Sequence, residues 1–437
     1  MKVLIKSDSI YKLNTLKISV LGVLILCASA SRIIGQPDVS TNSFTRYEVL
    51  SDRIEELVKE LEYSDDVARD FADMVLGWSD TEKQTILAIW NEKLTKAREE
   101  CEKGNISKSQ LSAIEKNIIN DLTYWIKKEI APDVNFFDLT DIIKAKRAQC
   151  VGYAHILYIL GNSVGLNINA INVTERVSNE FTKGHVADIV TLTNGQKVMV
   201  DVGLGFVSKS FILDKEFSKA GNYWELKDKK NPLEIHKRFQ IVDRNGLLAQ
   251  LLLKHGNDYL KSNQFNKAIS EFTKAIKISP KYPDPYINRG GIYGTTGETN
   301  KALSDLNKAI EIDPKSAFAY NNLALIHLNS GKFAQSISNC NTAIEISPKY
   351  PDPYLIRGSA YYTQKEFTKS ISDCTRAIEL NPNLAAAYYI RGAAYVYSKP
   401  EEAKKDFDKA LDLNPALKPS IKKISDSFEL DIAIENK

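Results

Sequence analysis

The nonapeptide ISPKYPDPY occurs twice in the chain, at residues 278–286 and at residues 346–354. Prolines at positions 280, 314, 348, 382 and 415 recur at intervals of 34, 34, 34 and 33 residues. One pattern of small and apolar residues on two helices recurs with the same period, and in the stretch that ends at Pro314 it is Gly290, Tyr293, Ala302, Leu306 and Ala309. A period of this length predicts stacked helical pairs, because a single pair cannot bury its apolar face alone.

The pattern resembles the tetratricopeptide repeat over five consecutive units, at residues 249–282, 283–316, 317–350, 351–384 and 385–417. Small residues such as Gly290 and Ala302 let the two helices of a unit touch, and the aromatic residue fills the gap to the next unit. The resemblance implies an all-α tetratricopeptide superhelix within residues 244–417. Residues 418–437 are predicted to form a polar capping helix and a tail.

A tetratricopeptide superhelix is expected to bind a protein or peptide in a concave groove lined by the first helix of each unit. Only Asn257 and Asn288 match the known clamp for C-terminal carboxylates, whereas Leu253, Phe318 and Asn322 stand where that clamp carries basic residues. An apolar or aromatic ligand is therefore expected. The predicted groove residues are Asn257, Ile287, Asn288, Phe318, Leu325, Leu355, Tyr362 and Tyr389. The alternative is an array that only spaces or dimerises the protein.

The first 30 residues have the features of a signal peptide. Four lysines precede an eleven-residue apolar stretch at 18–28, and Ala28-Ser29-Ala30 supplies a small-x-small cleavage site. The stretch is shorter than the roughly 20 apolar residues of a membrane-spanning helix. We therefore expect export to the periplasm, the cell surface or the medium, with cleavage near Ala30 and no stable membrane span in the mature chain.

Charge and cysteine content exclude several classes of function. Residues 1–30 hold four lysines and one aspartate, which leaves 54 basic and 54 acidic residues in the rest of the chain, and this balance argues against a nucleic-acid partner.

Cys340 and Cys374 lie 34 residues apart on equivalent helices. Packed helices are too far apart for a disulfide, so both are predicted to be buried apolar residues. A bridge between Cys101 and Cys150, with a redox role, stays open.

Residues 31–134 are predicted to form a helical lead-in, and residues 135–243 a mixed α+β domain. In the second segment Cys150 begins an apolar helix, and the run from His185 to residue 206 forms two strand-like halves around Thr193-Asn194-Gly195. A thiol at a helix N-terminus favours the thiolate, a nearby imidazole can accept its proton, and a carboxylate can orient that imidazole. The backbone N–H of Cys150 at the helix start could stabilise an oxyanion, and the side chain of Gln149 is a second candidate donor.

Strand parity tests whether these groups can meet. A two-residue hairpin loop would place Asp201 opposite Asp188, and His185 and Asp201 would then face opposite sides of the sheet. A three-residue loop with Gly195 in the left-handed conformation places Asp201 opposite Ala187 and diagonal to His185, within reach of it. The triad therefore requires the three-residue loop, and Asp188 has the wrong parity to take part.

This arrangement resembles the transglutaminase-like superfamily, whose fold is a papain-like α+β fold, over residues 135–243. The resemblance depends on Cys150-Val-Gly-Tyr-Ala154, on Gly165-Leu166, on Gly184-His185 at the start of a strand, and on Asp201 sixteen residues later. It implies that Cys150 is the nucleophile, His185 the base and Asp201 the orienting acid. The sequence departs from the family pattern at Ala187, where an aromatic residue is common, and at Val202, where a proline is common.

The expected function is that of an exported thiol-dependent amide or peptide hydrolase, or an acyltransferase, that works through a thioester on Cys150. The repeats would recruit its protein partner or substrate. No cofactor is expected, and no histidine has metal-ligand spacing. The alternative is a catalytically silent transglutaminase-like domain in an exported protein-binding scaffold.

Overall fold

The computed structural model describes residues 43–78, 85–132, 138–176, 181–204, 206–227, 236–396 and 398–428. The predicted signal peptide and its cleavage site lie outside these residues, as do residues 429–437 of the predicted capping helix and tail.

Four helices precede the mixed α/β region: α1 Ser43–Glu60, α2 Asp65–Leu76, α3 Ile86–Glu102 and α4 Lys108–Glu129. The start of α4 is fixed by a capping box, in which the Ser107 hydroxyl accepts from the Gln110 N–H and the Gln110 side chain accepts from the Ser107 N–H. Leu111, Ile118 and Leu122 on α4 are buried, so this helix packs its apolar face on the rest of the core.

The α/β region comprises short strands, short helices and one large sheet. Its elements are β1 Ala131–Pro132, α5 Leu139–Ala145, β2 Arg147–Ala148, α6 Cys150–Ser163, β3 Asn167–Arg176, β4 Phe181–Thr191, β5 Lys197–Asp201, β6 Phe206–Val207, α7 Leu213–Glu216, β7 Phe217–Ala220, β8 Tyr223–Leu226 and β9 His236–Val242. β1 and β2 pair in parallel. The other seven strands form one antiparallel sheet in the order β6-β5-β4-β3-β9-β8-β7.

Both faces of this sheet are covered. Val186 and Val190 belong to a core shared with α6, whereas Ala187 and Ile189, with the opposite parity, belong to a second core that includes Phe239. A strand buried on both faces lacks polar alternation, and β4 shows this because residues 186–190 are all buried.

The β4–β5 hairpin has the three-residue loop that the triad requires. Leu192 donates to the Gln196 carbonyl at 2.9 Å, and Gly195 has φ of 83°. Asp188 pairs with Val200 in this register. The loop is held from outside as well, because the Thr193 N–H donates to a Glu115 carboxylate oxygen on α4 at 2.8 Å.

Among its described residues, the C-terminal half has ten helices that pack as five consecutive pairs, followed by a short cap. The helices are α8 Arg244–Lys261, α9 Phe265–Ile278, α10 Pro283–Thr296, α11 Thr299–Ile312, α12 Ala317–Asn329, α13 Phe333–Ile346, α14 Pro351–Thr363, α15 Phe367–Leu380, α16 Ala385–Tyr395 and α17 Pro400–Leu413. A 3₁₀ turn at Pro415–Leu417 leads into α18, Lys418–Phe428. Cys340 and Cys374 are fully buried free thiols, and burial raises the pKa of each to about 12.

An equivalent ion pair joins the two helices in three of the helical pairs. In each, an arginine on the first helix binds both carboxylate oxygens of an aspartate on the second. The pairs are Arg289–Asp305, Arg357–Asp373 and Arg391–Asp406, with N···O distances of 2.7–2.8 Å. The first helical pair has His255 at the arginine position. His255 instead approaches Asp138, the N-cap of α5, at 3.5 Å.

The repeats pack directly on the α/β region. The guanidinium of Arg238 on β9 binds both carboxylate oxygens of Asp313, which follows α11, at 2.7 and 3.1 Å. The Arg238 Nε–H also donates to the carboxylate of Glu225 on β8, and the Lys315 ammonium forms an ion pair with the same carboxylate. The Arg238–Asp313 and Lys315–Glu225 contacts join residues 75 and 90 positions apart in the sequence, so the second repeat is fixed to strands β8 and β9.

Candidate catalytic site at Cys150

Cys150 is the first residue of α6, and its side chain is partly exposed. Gln149 is the N-cap in an extended conformation and makes no side-chain capping bond. The backbone N–H of a residue at this position points out of the helix end rather than to a helical carbonyl, and the Cys150 sulfur lies at the positive end of the helix dipole. Both features favour a negative charge at this position.

The side chains of Cys150, His185 and Asp201 meet at one place. His185 Nε2 lies 2.6 Å from Asp201 Oδ2, and the His185 ring also hydrogen-bonds the Cys150 side chain. The backbone N–H of Val186 donates to the Cys150 sulfur. The imidazole therefore stands between the thiol and the carboxylate, with a contact to each.

The carboxylate is fixed by the turn that follows β5. Asp201 is 1% exposed, and its second oxygen, Oδ1, accepts from the Leu204 N–H at 3.1 Å. Because one oxygen is held by the backbone, the other points at the imidazole. A carboxylate held in this way can orient a neighbouring imidazole.

The pKa values of the pair are displaced in opposite directions. Burial alone raises the pKa of Cys150, but its hydrogen bond and charge interaction with His185 outweigh burial and lower the pKa below its usual value. Burial alone lowers the pKa of His185, but the contacts with Asp201 and Cys150 outweigh it and raise the pKa to about 9. Both shifts favour the charged forms, a thiolate on Cys150 and an imidazolium on His185.

Asp188 takes no part in this contact. It is 1% exposed, and burial, followed by the nearby charge of Asp201, raises its pKa well above the usual value. This shift favours the neutral form of the Asp188 carboxyl group.

Some groups at the site were not predicted from the sequence. The Val186 and Leu204 N–H donors are backbone groups that no side-chain motif marks. Lys254 on α8 and Tyr282, the N-cap of α10, interact electrostatically with Cys150 although both belong to the repeats. Gln149, by contrast, was a predicted donor, and its Nε2 atom is buried and has no hydrogen-bond partner in the part of the chain that the structure describes.

The predicted groove residues fall into two groups. Phe318, Leu325, Tyr362 and Tyr389 are partly exposed on the first helices of their repeats. Ile287 and Leu355 are 1% and 3% exposed and pack in the cores between helices, which corrects their assignment as ligand contacts.

The two clamp-like asparagines bind each other. Asn288 is 8% exposed, and its Nδ2 donates to Asn257 Oδ1 at 2.6 Å. Asn288 therefore presents little surface to a ligand, and its amide already donates to Asn257 within the repeats.

Among the described residues, no group of histidine, cysteine, aspartate or glutamate side chains could hold a metal ion. Cys101 and Cys150 are not bonded to each other. In the same residues, no helix combines the length and hydropathy needed to cross a membrane.

Comparison with known proteins concerns the helical repeats. A family model described as TPR repeat matches residues 256–297 and 292–331, and one described as Tetratricopeptide repeat matches residues 319–350 and 351–384. No curated protein matches the sequence.

Solved structures of repeat proteins are also similar to the chain. A thermophilic TPR protein from Thermus thermophilus is 20% identical, with 42% of this chain and 99% of that chain covered and a TM-score of 0.36. A MamA structure is 28% identical, with 37% of this chain and 95% of that chain covered and a TM-score of 0.32.

Proposed function

Because residues 256–384 are tetratricopeptide repeats, which are protein-interaction modules, we propose that the chain binds a protein and hydrolyses an amide or peptide bond in it. Residues 135–243 would be a transglutaminase-like domain of papain-like fold. Cys150 is the nucleophile, His185 the base and Asp201 the orienting acid. The observation that carries the proposal is the His185 ring bonded on one side to Cys150 and on the other to Asp201.

The reaction follows from this geometry. The Cys150 thiolate attacks the carbonyl carbon, and the oxyanion that forms is stabilised by the backbone N–H of Cys150 and by the buried Nε2 of Gln149. His185 then gives its proton to the leaving amine or ammonia as the C–N bond breaks, which leaves a thioester on Cys150. His185 next removes a proton from water, and the attacking hydroxide releases the acid and restores the thiolate.

Hydrolysis is preferred to acyl transfer because no described segment presents a site for an amine acceptor. An amine in place of water would use the same two groups, His185 and Cys150, and would give a new amide. The two outcomes differ only in the second nucleophile.

Export is part of the proposal and is supported by the basic, apolar and small-residue segments of residues 1–30. A mature N-terminus at Ser31, determined by N-terminal sequencing of protein recovered from outside the cytoplasm, would support it. An N-terminus at Met1 in that fraction would contradict it.

The experiment is acyl transfer from p-nitrophenyl acetate, which needs no knowledge of the natural substrate. We expect a burst of p-nitrophenolate and one acetyl group on the peptide containing Cys150, found by mass spectrometry. Cys101, a partly exposed thiol on α3, is the control within the same molecule. His185→Ala should abolish the burst, and Cys150→Ala should abolish both the burst and the acetylated peptide.

The second candidate is an exported scaffold that acts only through its repeats; the family-model matches at residues 256–384 support these repeats and do not distinguish the scaffold from the enzyme. The same experiment separates the two functions. Acetylation of Cys150 no faster than that of Cys101, and unchanged in His185→Ala, would contradict the enzyme and favour the scaffold.

A further inference from the structure

One edge of the large sheet is formed by β6. Among the residues that the structure describes, β6 pairs with β5 alone and stands last in the strand order. The Ser208 N–H donates to the Met199 carbonyl at 2.9 Å, so the backbone groups of Ser208 point toward β5. Successive residues of an antiparallel strand point their N–H and C=O groups to opposite sides. The backbone N–H and C=O of Val207 therefore point away from β5, to the free edge.

A cleft of about 730 Å³ opens at this edge, between β6 and α4. Positions 120, 123, 124 and 127 of α4 have the spacing of one helix face. From residue 120 to residue 127 the helix rises about 10 Å, which is the length of about three residues of an extended strand. The residues that line this β6–α4 cleft are Asn120, Thr123, Tyr124, Lys127, Lys128 and Val207.

The side chains in the β6–α4 cleft are cationic and aromatic. Both charged residues that line it are lysines, and Lys127 is exposed. The Lys128 ammonium lies 3.9 Å from the centre of the Trp125 ring, and it is 3.9 Å from a carboxylate oxygen of Glu129. Tyr124 is 64% exposed, and its ring meets the Trp125 ring edge-on at 6.3 Å. A complementary ligand carries negative charge and an apolar group.

The β6–α4 cleft lies close to the strand that carries the triad acid. Phe206 on β6 pairs with Asp201, and Val207 pairs with Val200. Neighbouring strands of a sheet are about 4.8 Å apart, so a chain added beside β6 would run about 10 Å from β5. A polypeptide held there would lie near the triad, on a surface other than the groove of the repeats.

We propose that the β6–α4 cleft binds an extended acidic segment of a polypeptide, which adds to the sheet as a further strand beside β6. The segment bonds through its backbone to the outward N–H and C=O of Val207, as in β-strand addition. Residues two positions apart in a strand share a face, so an acidic residue and an apolar residue at that spacing reach Lys127 and Tyr124 together. This binding goes beyond the proposed function, because it needs no reaction at Cys150.

The test measures binding of a dye-labelled peptide by fluorescence anisotropy. The peptide is Glu-Thr-Val-Thr-Glu-Thr with blocked ends, in which the glutamates and the valine share one face of an extended strand. The protein is the full chain with Cys150→Ala, so the result does not depend on whether the proposed reaction occurs. We expect saturable binding of this peptide and none of Lys-Thr-Val-Thr-Lys-Thr.

Two results of this measurement would overturn the proposal. One is the absence of saturable binding by the acidic peptide, and the other is equal binding of the acidic and basic peptides. The lysines would then only protect the edge, since charged side chains keep the exposed strands of two copies from pairing.

Variants of the cleft test its charge and its backbone separately. Lys127→Glu should weaken binding of the acidic peptide about fivefold, whereas Lys108→Glu should change it by less than about twofold, because Lys108 is exposed at the other end of α4, about 28 Å away. Val207→Pro removes the outward N–H at an edge position that tolerates proline, and it should also weaken binding about fivefold. Equal affinities in Lys127→Glu and Lys108→Glu would overturn the proposal.

N-methylated peptides test the strand pairing without any change in the protein. In a strand that is paired along one edge, alternate N–H groups face the partner. One peptide carries N-methyl groups on residues 2 and 4, and the other carries them on residues 3 and 5. We expect only one of the two to lose affinity, by about fivefold or more. Equal affinities of the two methylated peptides would show that charge alone holds the ligand and would overturn its addition as a strand.

Discussion

Arg238→Ala is expected to loosen the repeats from the α/β region at a large cost in stability. Arg238 is 5% exposed, and its guanidinium stacks on the Tyr223 ring at 3.8 Å while it binds both oxygens of Asp313. Asp313 is 4% exposed, so the substitution leaves a buried carboxylate without its counter-charge. Removing one partner of such a pair costs about 3–5 kcal/mol of unfolding free energy.

The measurement is equilibrium unfolding in urea, followed by circular dichroism and by tryptophan fluorescence. Trp224 pairs with Phe239 next to Arg238 and so reports on this junction. Lys315→Ala is the matched control, because Lys315 is 59% exposed and binds the same sheet edge through Glu225, and we expect it to cost less than about 1 kcal/mol.

A double variant gives a second check. Arg238→Met with Asp313→Leu replaces the buried pair by apolar groups and should recover most of the loss seen in Arg238→Ala. A loss in Arg238→Ala no larger than that in Lys315→Ala would refute the reasoning. Additive losses in the double variant would refute it as well, because they would show that the two charges do not depend on each other.

The remaining predictions concern the triad and one helix contact. Asp201→Asn should lower the pKa of His185 from about 9 toward its usual value, as followed by NMR of the ring protons, and an unchanged pKa would show that Asp201 does not stabilise the imidazolium. The pKa of His185 is raised in the folded state. The stability that His185 contributes is therefore complete below the pKa it has in the unfolded chain, and it is lost as the pH rises through about 9. Urea midpoints should fall over this range in wild type and should fall less in Asp201→Asn. Gly256→Ala should lower the free energy of unfolding by about 1–3 kcal/mol, because the new Cβ would lie 2.3 Å from the Phe272 ring. Gly291→Ala is the control and should be neutral or slightly stabilising, because the nearest atom to its Cβ would be 3.4 Å away. Equal thermal midpoints in the two variants would contradict this.

The sequence predicted features that depend on local period and turn chemistry. The 34-residue spacing of the prolines predicted the helical pairs, and the family-model matches confirm tetratricopeptide repeats at residues 256–384. The parity of β4 and β5 and the glycine at position 195 predicted the hairpin register, because a loop of three residues leaves only one pairing.

Features that depend on the packing of distant segments were not predictable in this way. The Arg238–Asp313 pair joins residues 75 positions apart, and no sequence pattern links the two. Ile287 and Leu355 were assigned to the groove from their place in the repeat. Whether such a side chain faces the ligand or the neighbouring helix is decided by how the stacked helices pack, and here both are buried.

The rate of Cys150 alkylation by iodoacetamide as a function of pH, in wild type and in His185→Ala, tests the catalytic pair most directly. An ion pair with a lowered thiol pKa predicts that wild type reacts rapidly well below about pH 8.5, the usual range of a free thiol, and that His185→Ala reacts slowly there. A wild-type rate that rises only near that range and is unchanged in His185→Ala would contradict the thiolate–imidazolium pair.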